Sequence, residues 1–244
     1  KFYINYTRNK SIFLESFYHS FWLIMSFDKD LIEILALSLT VSFSSLAISC
    51  FIGIPIGTML AIKNFSTRKP LLAIINALMG LPPVLVGLIV YLYLSRSGPL
   101  GWLGLLYTPT AMIIAQVVLV SPIIIALSTQ IIEDLHDDYR DLFLSLNVSP
   151  KRAVFAYIYD ARYSLLTVVL AGFGRAISEV GAVIIVGGNI DHLTRVMTTA
   201  IALETSKGNL TLALALGIIL LIISLVINFV AMWIKNYSKS KENV

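Results

Sequence analysis

Charged residues are scarce in this 244-residue chain. Asp, Glu, Lys and Arg together make up 13% of it, whereas 57% is hydrophobic. Soluble globular proteins carry roughly 25% charged residues, so this chain has about half of the charged residues expected of a soluble protein. This shortage excludes an ordinary soluble domain and indicates an integral membrane protein. The net charge of +4 is small, and basic loops account for it without a nucleic-acid partner.

Cysteine and recognisable catalytic motifs are equally scarce. Cys50 is the single cysteine and lies in an apolar stretch, which excludes a disulfide framework and a cysteine-based metal site. The three histidines are far apart in the sequence and have no recognisable catalytic partners. The chain also lacks a nucleophile elbow, a zinc-binding helix motif and the glycine-rich sequence that cradles phosphates. We therefore expect no enzymatic activity and no bound cofactor.

Long apolar runs are what the chain does contain. A bilayer core about 30 Å thick needs roughly 20 helical residues to cross it. The runs that meet this length are 31–62, 71–94, 110–132, 165–186 and 210–234. The sequence thus predicts an all-α membrane protein with about five transmembrane helices, occupying residues 31–234 and followed by a short tail over 235–244.

The first 30 residues form a separate N-terminal segment. Residues 12–27 within it contain six aromatic side chains together with Glu15 and His19. An interfacial amphipathic helix suits this composition. The alternative is a short sixth membrane span, and the sequence leaves both open.

Lysine and arginine are concentrated in alternate loops. If there are five spans, the basic segments all lie on one side of the membrane, which the positive-inside rule makes the cytoplasm. The N-terminus is then outside and the C-terminus cytoplasmic. The basic residues on this side are Lys63, Arg68, Lys69, Arg140, Lys151, Arg152, Arg162, Lys235, Lys239 and Lys241.

A polar segment, residues 133–162, separates the third and fourth apolar runs. Residues 138–146 are expected to form a short amphipathic helix that ends at Asn147 and Val148. Ser149 can then accept an N–H as the N-cap of a second helix, with Pro150 in its first turn. The pattern therefore predicts a pair of short helices at the cytoplasmic surface.

This helix pair resembles the coupling segment of ABC-importer permeases. Asp141-Leu142-Phe143 stands where that family has Glu-Ala-Ala, and Asn147 stands where it has glycine. The two alanines and the later proline of the family pattern are absent here. The resemblance implies two separate ATP-binding subunits, which hold the ATP and magnesium, and each copy of this turn and its flanks is expected to dock on one of them. The implied contact residues are Asp141, Leu142, Phe143, Leu146, Asn147, Val148, Ser149 and Pro150.

The next apolar run extends this resemblance. Ala171-Gly172-Phe173-Gly174-Arg175-Ala176-Ile177-Ser178-Glu179-Val180-Gly181-Ala182 is similar to the signature of oxyanion permeases of the molybdate and tungstate type. The segments 79–87, 94–101 and 198–208 resemble the tungstate branch in particular. Membership implies a type I importer architecture and a homodimer working by alternating access. It also implies an extracytoplasmic oxyanion-binding protein as a partner, received by the loops at 95–108 and 189–209.

Several polar or helix-breaking residues fall inside the predicted spans. Arg175 and Glu179 are four residues apart and share a helix face. Two interpretations stay open, namely a self-neutralising ion pair that fixes helix packing and a pair that lines or braces the translocation pathway. Pro82 and Pro83 must interrupt the second span, and Gly181 permits close helix contact. Gln116 is expected to form an interhelical hydrogen bond.

The chain is thus predicted to be the permease subunit of an ATP-driven importer for a tetrahedral oxyanion, and tungstate is the expected cargo. A permease of the same architecture for molybdate, sulfate or another solute is the first alternative. A secondary transporter is the second, and it is disfavoured because the chain shows no pair of inverted halves. Pro82, Pro83, Arg175, Glu179 and Gly181 are the predicted pathway or gate residues.

Overall fold

The computed structural model describes residues 22, 29–63 and 65–242, the side chains of residues 144, 150, 151 and 236–242 excepted. These residues contain nine α-helices, one 3-10 helix (Gly101–Leu103) and no strand, which confirms the all-α prediction. Apart from residue 22, the predicted segment 12–27 lies outside the described residues. The helices are α1 (Lys29–Ile62), α2 (Arg68–Leu78), α3 (Pro83–Leu94), α4 (Pro109–Ser145), α5 (Pro150–Asp160), α6 (Arg162–Ile177), α7 (Gly181–Gly187), α8 (Met197–Lys207) and α9 (Leu210–Glu242).

Three of these helices, α1, α4 and α9, are long and apolar enough to cross a membrane alone. Two bent pairs meet the same test, with a bend of 98° between α2 and α3 and of 79° between α5 and α6. The described part of the chain therefore contains three to five candidate spans. The prediction of a multi-pass membrane protein is confirmed.

The second predicted span is broken where two consecutive prolines occur. Helix α2 ends at Leu78, and α3 begins at Pro83. Pro83 has no N–H to donate, and its ring blocks a continuous helix through Pro82. The intervening N–H groups form short turns, such as Gly80 N–H to the Ala77 carbonyl at 3.1 Å. The predicted interruption is thus a sharp corner rather than a mild kink.

The fourth predicted span, 165–186, is not one helix. Helix α6 ends at Ile177, and a separate short helix, α7, begins at Gly181. The expectation of a continuous span was wrong because hydropathy does not detect a break whose polar groups are satisfied locally. Arg175 and Glu179 consequently lie at a helix end instead of in the middle of a span.

The polar segment also differs from its prediction. Residues 138–146 do not form an independent helix, because α4 continues without interruption from Pro109 to Ser145 over 37 residues, about 55 Å. The segment between Ile132 and Asn147 holds no proline or glycine, so the change from apolar to charged residues does not stop the helix. Helix α4 therefore reaches from the membrane core to the predicted coupling turn as one rigid element.

The core is organised around the contact between α1 and α4. Four serines of α1 at helical spacing are buried against neighbouring helices, and glycines extend the same face. A Cβ at Gly57 would lie 2.7 Å from the Ile125 carbonyl oxygen, and Thr129 Oγ1 donates to the Gly57 carbonyl at 3.2 Å. Small residues thus allow the two backbones to approach closely, as in other membrane helix pairs. The buried serines are Ser38, Ser42, Ser45 and Ser49.

Candidate functional site

The break between α6 and α7 is held by Glu179. Its Oε2 accepts from Arg175 Nη1 at 2.7 Å, and its Oε1 accepts from the Ala182 N–H at 3.0 Å. Ala182 lies in the first turn of α7, so the carboxylate also satisfies a free N–H at a helix start. The side chain of Glu179 is only 2% exposed. The expected ion pair is present, and it bridges two helices.

The two breaks lie against each other. A Cβ on Gly181 would lie 3.0 Å from Val84 Cγ2 and 3.5 Å from Pro83 Cβ. One turn further along α3, a Cβ on Gly87 would lie 2.7 Å from the Ala182 Cα. The starts of α3 and α7 therefore pack with almost no side chain between them. We call this contact between the starts of α3 and α7 the joint. It brings together Pro83 and Gly181, two of the predicted gate residues, and Pro82 is adjacent to it.

Polar side chains from α1, α4 and α8 surround the same joint. Gln116 Nε2 donates to the Ala176 carbonyl at 3.1 Å, and Gln116 Oε1 accepts from Ser45 Oγ at 2.7 Å, which confirms the expected interhelical bond. Thr198 Oγ1 donates to the Glu179 carbonyl at 2.8 Å. These bonds satisfy backbone carbonyls that the end of α6 leaves free, as a low-dielectric interior requires. Helices α1, α4 and α8, together with α3, thus converge on the break between α6 and α7.

A small cavity of about 10 Å³ lies inside this polar cluster. Ser38, Ser42, Gln116, Glu179 and Thr198 contribute to its wall. Its volume is that of roughly one water-sized probe, so it cannot hold a tetrahedral oxyanion. The buried side of the joint is therefore closely packed.

The exposed side of the joint carries small residues. Gly174 and Ser178 are exposed, and a Cβ on Gly174 would meet no atom within 4 Å. The side chain of Arg175 is 26% exposed and lies between the two faces. The joint therefore presents an open, unobstructed surface with one cation at its edge.

The predicted coupling turn has the expected backbone. Asn147 adopts a left-handed conformation with φ of 50°, which asparagine tolerates better than most residues. The Val148 N–H donates to the Phe143 carbonyl at 3.1 Å, and both side chains pack against the same core cluster. This arrangement is a Schellman motif. Ser149 stands at the N-cap of α5 as predicted, but its side chain makes no capping hydrogen bond.

Aromatic side chains fasten α5 to the end of α4. Tyr157 of α5 is 1% exposed, and its ring centroid lies 4.9 Å from that of Phe143 and 6.4 Å from that of Tyr139. Its hydroxyl lies 2.8 Å from His136 Nδ1. The sequence interpretation missed Tyr157 as an anchor, although its place opposite Phe143 follows once α4 and α5 form a hairpin.

The other side of this hairpin is apolar and exposed. Leu142 and Leu146 of the turn are 51% and 64% exposed, and Phe155 and Tyr159 of α5 are 76% and 69% exposed. Asp141 is exposed beside them. Groups of large exposed apolar side chains are typical of interaction sites. The predicted contact residues are thus gathered at one end of the molecule, apart from the side chain of residue 150, which is not described.

The remaining titratable groups do not form a metal site. Among the residues that the structure describes, no group of three or more His, Cys, Asp or Glu side chains could hold a metal ion. His192 instead pairs with Glu33 at 2.8 Å, and Glu204 pairs with Lys207 at 2.8 Å. These pairs join or stabilise helix ends on the side of the molecule opposite the coupling turn.

The chain is similar to known permeases along most of its length. The chain is 42% identical over 216 residues to a tungstate uptake system permease protein of Peptoclostridium acidaminophilum, covering 88% of this chain and 95% of the relative. It is 37% identical over 225 residues to a tungstate uptake system permease protein of Campylobacter jejuni, covering 91% and 94%. It is 41% identical over 203 residues to a probable anion ABC transporter permease protein of Haloferax volcanii, covering 81% and 88%.

The family assignment covers most of the chain. Residues 53–242 match the binding-protein-dependent transport system inner membrane component. This range includes the two helix breaks, Gln116, Glu179 and Thr198 of the polar cluster, and the predicted coupling turn. The chain therefore belongs to the family of inner membrane permease components of binding-protein-dependent transport systems.

Proposed function

We propose that this chain is the membrane subunit of an ATP-driven importer that carries tungstate. The proposal rests mainly on the near full-length similarity to two permeases named for tungstate uptake. A third relative named for anion transport agrees with a charged oxyanion as cargo. Within this chain, the open surface at Gly174 and Arg175 offers a passage with a single cation and no deep anion-binding site. Weak binding suits transport, because a tightly held ion would not leave.

The proposed orientation puts the coupling turn in the cytoplasm. In this arrangement the end of α4, the start of α2 and the end of α9 lie on the cytoplasmic side, where the short loops are rich in Lys and Arg. The N-terminus is outside. The loops at 95–108 and 188–209 then face a substrate-binding protein. Trp102, which is 81% exposed, is the largest apolar side chain offered by the first of these loops.

The ATPase is proposed to be a separate subunit that docks on the exposed α4–α5 hairpin. Leu142, Leu146, Phe155 and Tyr159 are apolar and accessible, and Asp141 adds a negative charge. The hairpin is rigid because Tyr157 and Phe143 pack inside it. A rigid docking element transmits displacement of the ATPase to α4 instead of absorbing it.

A second copy of the chain is proposed to complete the pathway. The exposed surface around Gly174, Ser178 and Val180 is one wall, and two such walls related by a twofold axis enclose a passage. Arg175 and Glu179 brace this wall at the helix break, with Pro82, Pro83 and Gly181 at the joint behind it. Changes in the angle between α6 and α7 would open or close the passage in an alternating-access cycle.

Uptake into proteoliposomes tests the proposal. The permease, reconstituted with its ATPase and binding protein, is expected to accumulate tungstate inside vesicles only when ATP is supplied on the side of the coupling turn. Omitting the binding protein is expected to abolish the accumulation. Uptake that proceeds without ATP and follows an imposed ion gradient would overturn the proposal in favour of a secondary transporter.

Molybdate or sulfate import by the same architecture is the second candidate. The joint and the coupling turn described here do not distinguish among tetrahedral dianions, because the small buried cavity excludes all of them and the open surface carries only Arg175. Competition by molybdate and sulfate in the uptake assay decides between the cargoes. Equal inhibition of tungstate uptake by sulfate would contradict the tungstate assignment.

A further inference from the structure

Arg68 joins three helices at the side of the molecule assigned to the cytoplasm. Its Nη2 forms an ion pair with Glu133 Oε1 of α4, and its Nε donates to the Leu60 carbonyl of α1 at 2.8 Å. Arg68 itself is the first residue of α2. The guanidinium thus satisfies one carbonyl at the end of α1 and a carboxylate of α4 with two different nitrogens. The planar, multi-donor guanidinium is suited to such a junction, and lysine is not.

The other described contacts of helix α2 are apolar and lie mainly against α4. Ile75 is its one buried residue, and it lies in a small cluster with Leu60 and Ala126. The apolar residues Leu71, Ile74 and Leu78 are exposed. Arg68 and the Ile75 cluster therefore hold the two ends of α2, and Arg68 is its polar attachment.

Helix α2 leads directly to the joint. It turns through 98° into α3, whose first residue, Pro83, contacts the joint at Gly181. The α2–α3 pair has the geometry of a bent lever, with Arg68 at the free end of α2 and the corner at the joint. The corner contains Pro82, which cannot propagate helical hydrogen bonds.

Glu133, the ion-pair partner of Arg68, lies on α4, the helix that ends at the proposed coupling turn. It precedes Asp141 by eight residues on the continuous helix α4, roughly 12 Å along its axis. Displacement of the α4 end therefore reaches Glu133 through an unbroken helix. The side chains of Arg68 and Glu133 are 21% and 37% exposed, so the ion pair is partly shielded from water.

We propose that Arg68 is a positioning residue that transmits movement from the coupling helix α4 to the α3–α7 joint through the lever α2–α3. This inference rests on the proposed function, because it assumes that an ATPase moves the end of α4. It adds a second route to the joint, besides the direct contacts of α4 with α6. Loss of Arg68 uncouples ATP binding from opening of the joint and leaves the docking hairpin intact.

The test follows accessibility at the joint, so it does not depend on the cargo. In the complex with the ATPase, Cys50→Ala removes the single cysteine, and Ser178→Cys places a thiol on the exposed side of the break. The rate of labelling by a membrane-impermeant maleimide is measured with and without a non-hydrolysable ATP analogue. In this parent complex the analogue is expected to change the labelling rate.

Arg68→Ala in this background is expected to reduce that change about fivefold, within the range by which residues along a coupling route modulate coupling. The rate of ATP hydrolysis is expected to stay within about twofold of the parent, because Arg68 does not touch the docking hairpin. Lys69→Ala is the matched control, since Lys69 is an exposed cation in the same helical turn, and it is expected to keep the parental response.

Glu133→Gln is the second variant, and it removes the charge of the partner with little change in shape. It is expected to show the same loss of response, even if Arg68→Ala does not assemble. The charge exchange Arg68→Glu with Glu133→Arg is expected to restore part of the response. The restoration is partial because the hydrogen bond from residue 68 to the Leu60 carbonyl is lost. The inference is overturned if Glu133→Gln keeps the parental response, or if the exchange is no better than Arg68→Glu alone.

Two results separate this inference from the proposed function. A parent complex whose labelling does not respond to the ATP analogue contradicts the transport cycle itself and the inference with it. A parent complex that responds to the analogue but does not take up tungstate contradicts the cargo alone. In that second case the comparison of Arg68→Ala with Lys69→Ala still decides the role of Arg68.

Discussion

Arg175 and Glu179 form an ion pair across the end of a helix: the guanidinium Nη1 lies 2.7 Å from the carboxylate Oε2. The second oxygen of Glu179 accepts the Ala182 N–H that starts the next helix. One carboxylate therefore stabilises both sides of the break. This double use makes Glu179 the residue on which the proposed gate depends most.

Glu179→Gln alone is expected to reduce uptake about tenfold more than the double substitution Arg175→Gln with Glu179→Gln. The single substitution leaves the charge of Arg175 without its partner, which is costlier than removing both charges of a buried pair. Glutamine keeps an oxygen for the Ala182 N–H, so the comparison isolates charge. ATP-dependent uptake in proteoliposomes is the measurement. Equal damage from the single and double substitutions would show that the pair does not brace the gate.

The Arg195–Asp191 pair is a matched control for this experiment. It has the same four-residue spacing and a distance of 2.6 Å, but Asp191 is 59% exposed and lies outside the spans. Solvent screens the exposed carboxylate, and Arg195, which is only 18% exposed, keeps Glu204 as a neighbouring negative charge when Asp191 is replaced. Asp191→Asn alone and Asp191→Asn with Arg195→Gln are therefore expected to give the same uptake.

Gly87 is expected to tolerate no larger residue. Gly87→Ala places a methyl group 2.7 Å from the Ala182 Cα, and overpacking of this kind costs about 1–3 kcal/mol. Gly217→Ala is the control, because a Cβ there meets no atom within 4 Å. Thermal unfolding in detergent is expected to show a lower midpoint for Gly87→Ala only. Similar midpoints for both variants would contradict the close contact between α3 and α7.

The His192–Glu33 pair predicts a pH dependence of stability. The hydrogen bond and negative charge of Glu33 raise the pKa of His192 above its ordinary value of 6.5, and Asp191 and Asp30 act in the same direction. A histidine whose pKa is raised on folding contributes stability that is fully present below pH 6.5 and is lost as the pH rises through the folded-state pKa.

Thermal midpoints measured on both sides of this window are expected to fall with rising pH more for the wild-type protein than for His192→Gln. The pair is largely exposed, so the difference between the two proteins is small. Parallel pH profiles would show that the pair does not contribute.

Leu146→Asp is expected to weaken binding of the ATPase without unfolding the permease. Leu146 is 64% exposed on the proposed docking face, and a charge buried in an interface without a partner costs several kcal/mol. Leu193→Asp is the control, since Leu193 is also exposed, at 48%, but lies in a loop on the opposite side. Co-purification with the ATPase is the measurement, and equal recovery of both variants would remove the docking assignment.

The sequence predicted those features that depend on local chemistry. Pro82 and Pro83 indicate a broken helix wherever they occur together, and Asn147 followed by Ser149 and Pro150 indicates a turn between helices. The spacing of Arg175 and Glu179 likewise predicted their ion pair. Each of these features depends on residues within a few positions of one another.

The features that the sequence did not predict depend on distant contacts. Helix α6 ends at Ile177 because Glu179, Thr198 and Gln116 together satisfy the freed backbone groups, and these side chains come from three separate segments. Arg68 was visible only as one of several loop cations, although it joins three helices. The continuation of α4 through residue 138 was missed because a change in hydropathy was taken for a helix boundary.

The central claim, that the chain is driven by a separate ATPase to import tungstate, is tested most directly by ATPase stimulation. The reconstituted complex is given binding protein loaded with tungstate, molybdate or sulfate, and the rate of ATP hydrolysis is measured for each. We expect the strongest stimulation from the tungstate-loaded protein. Stimulation by the sulfate-loaded protein alone would contradict it.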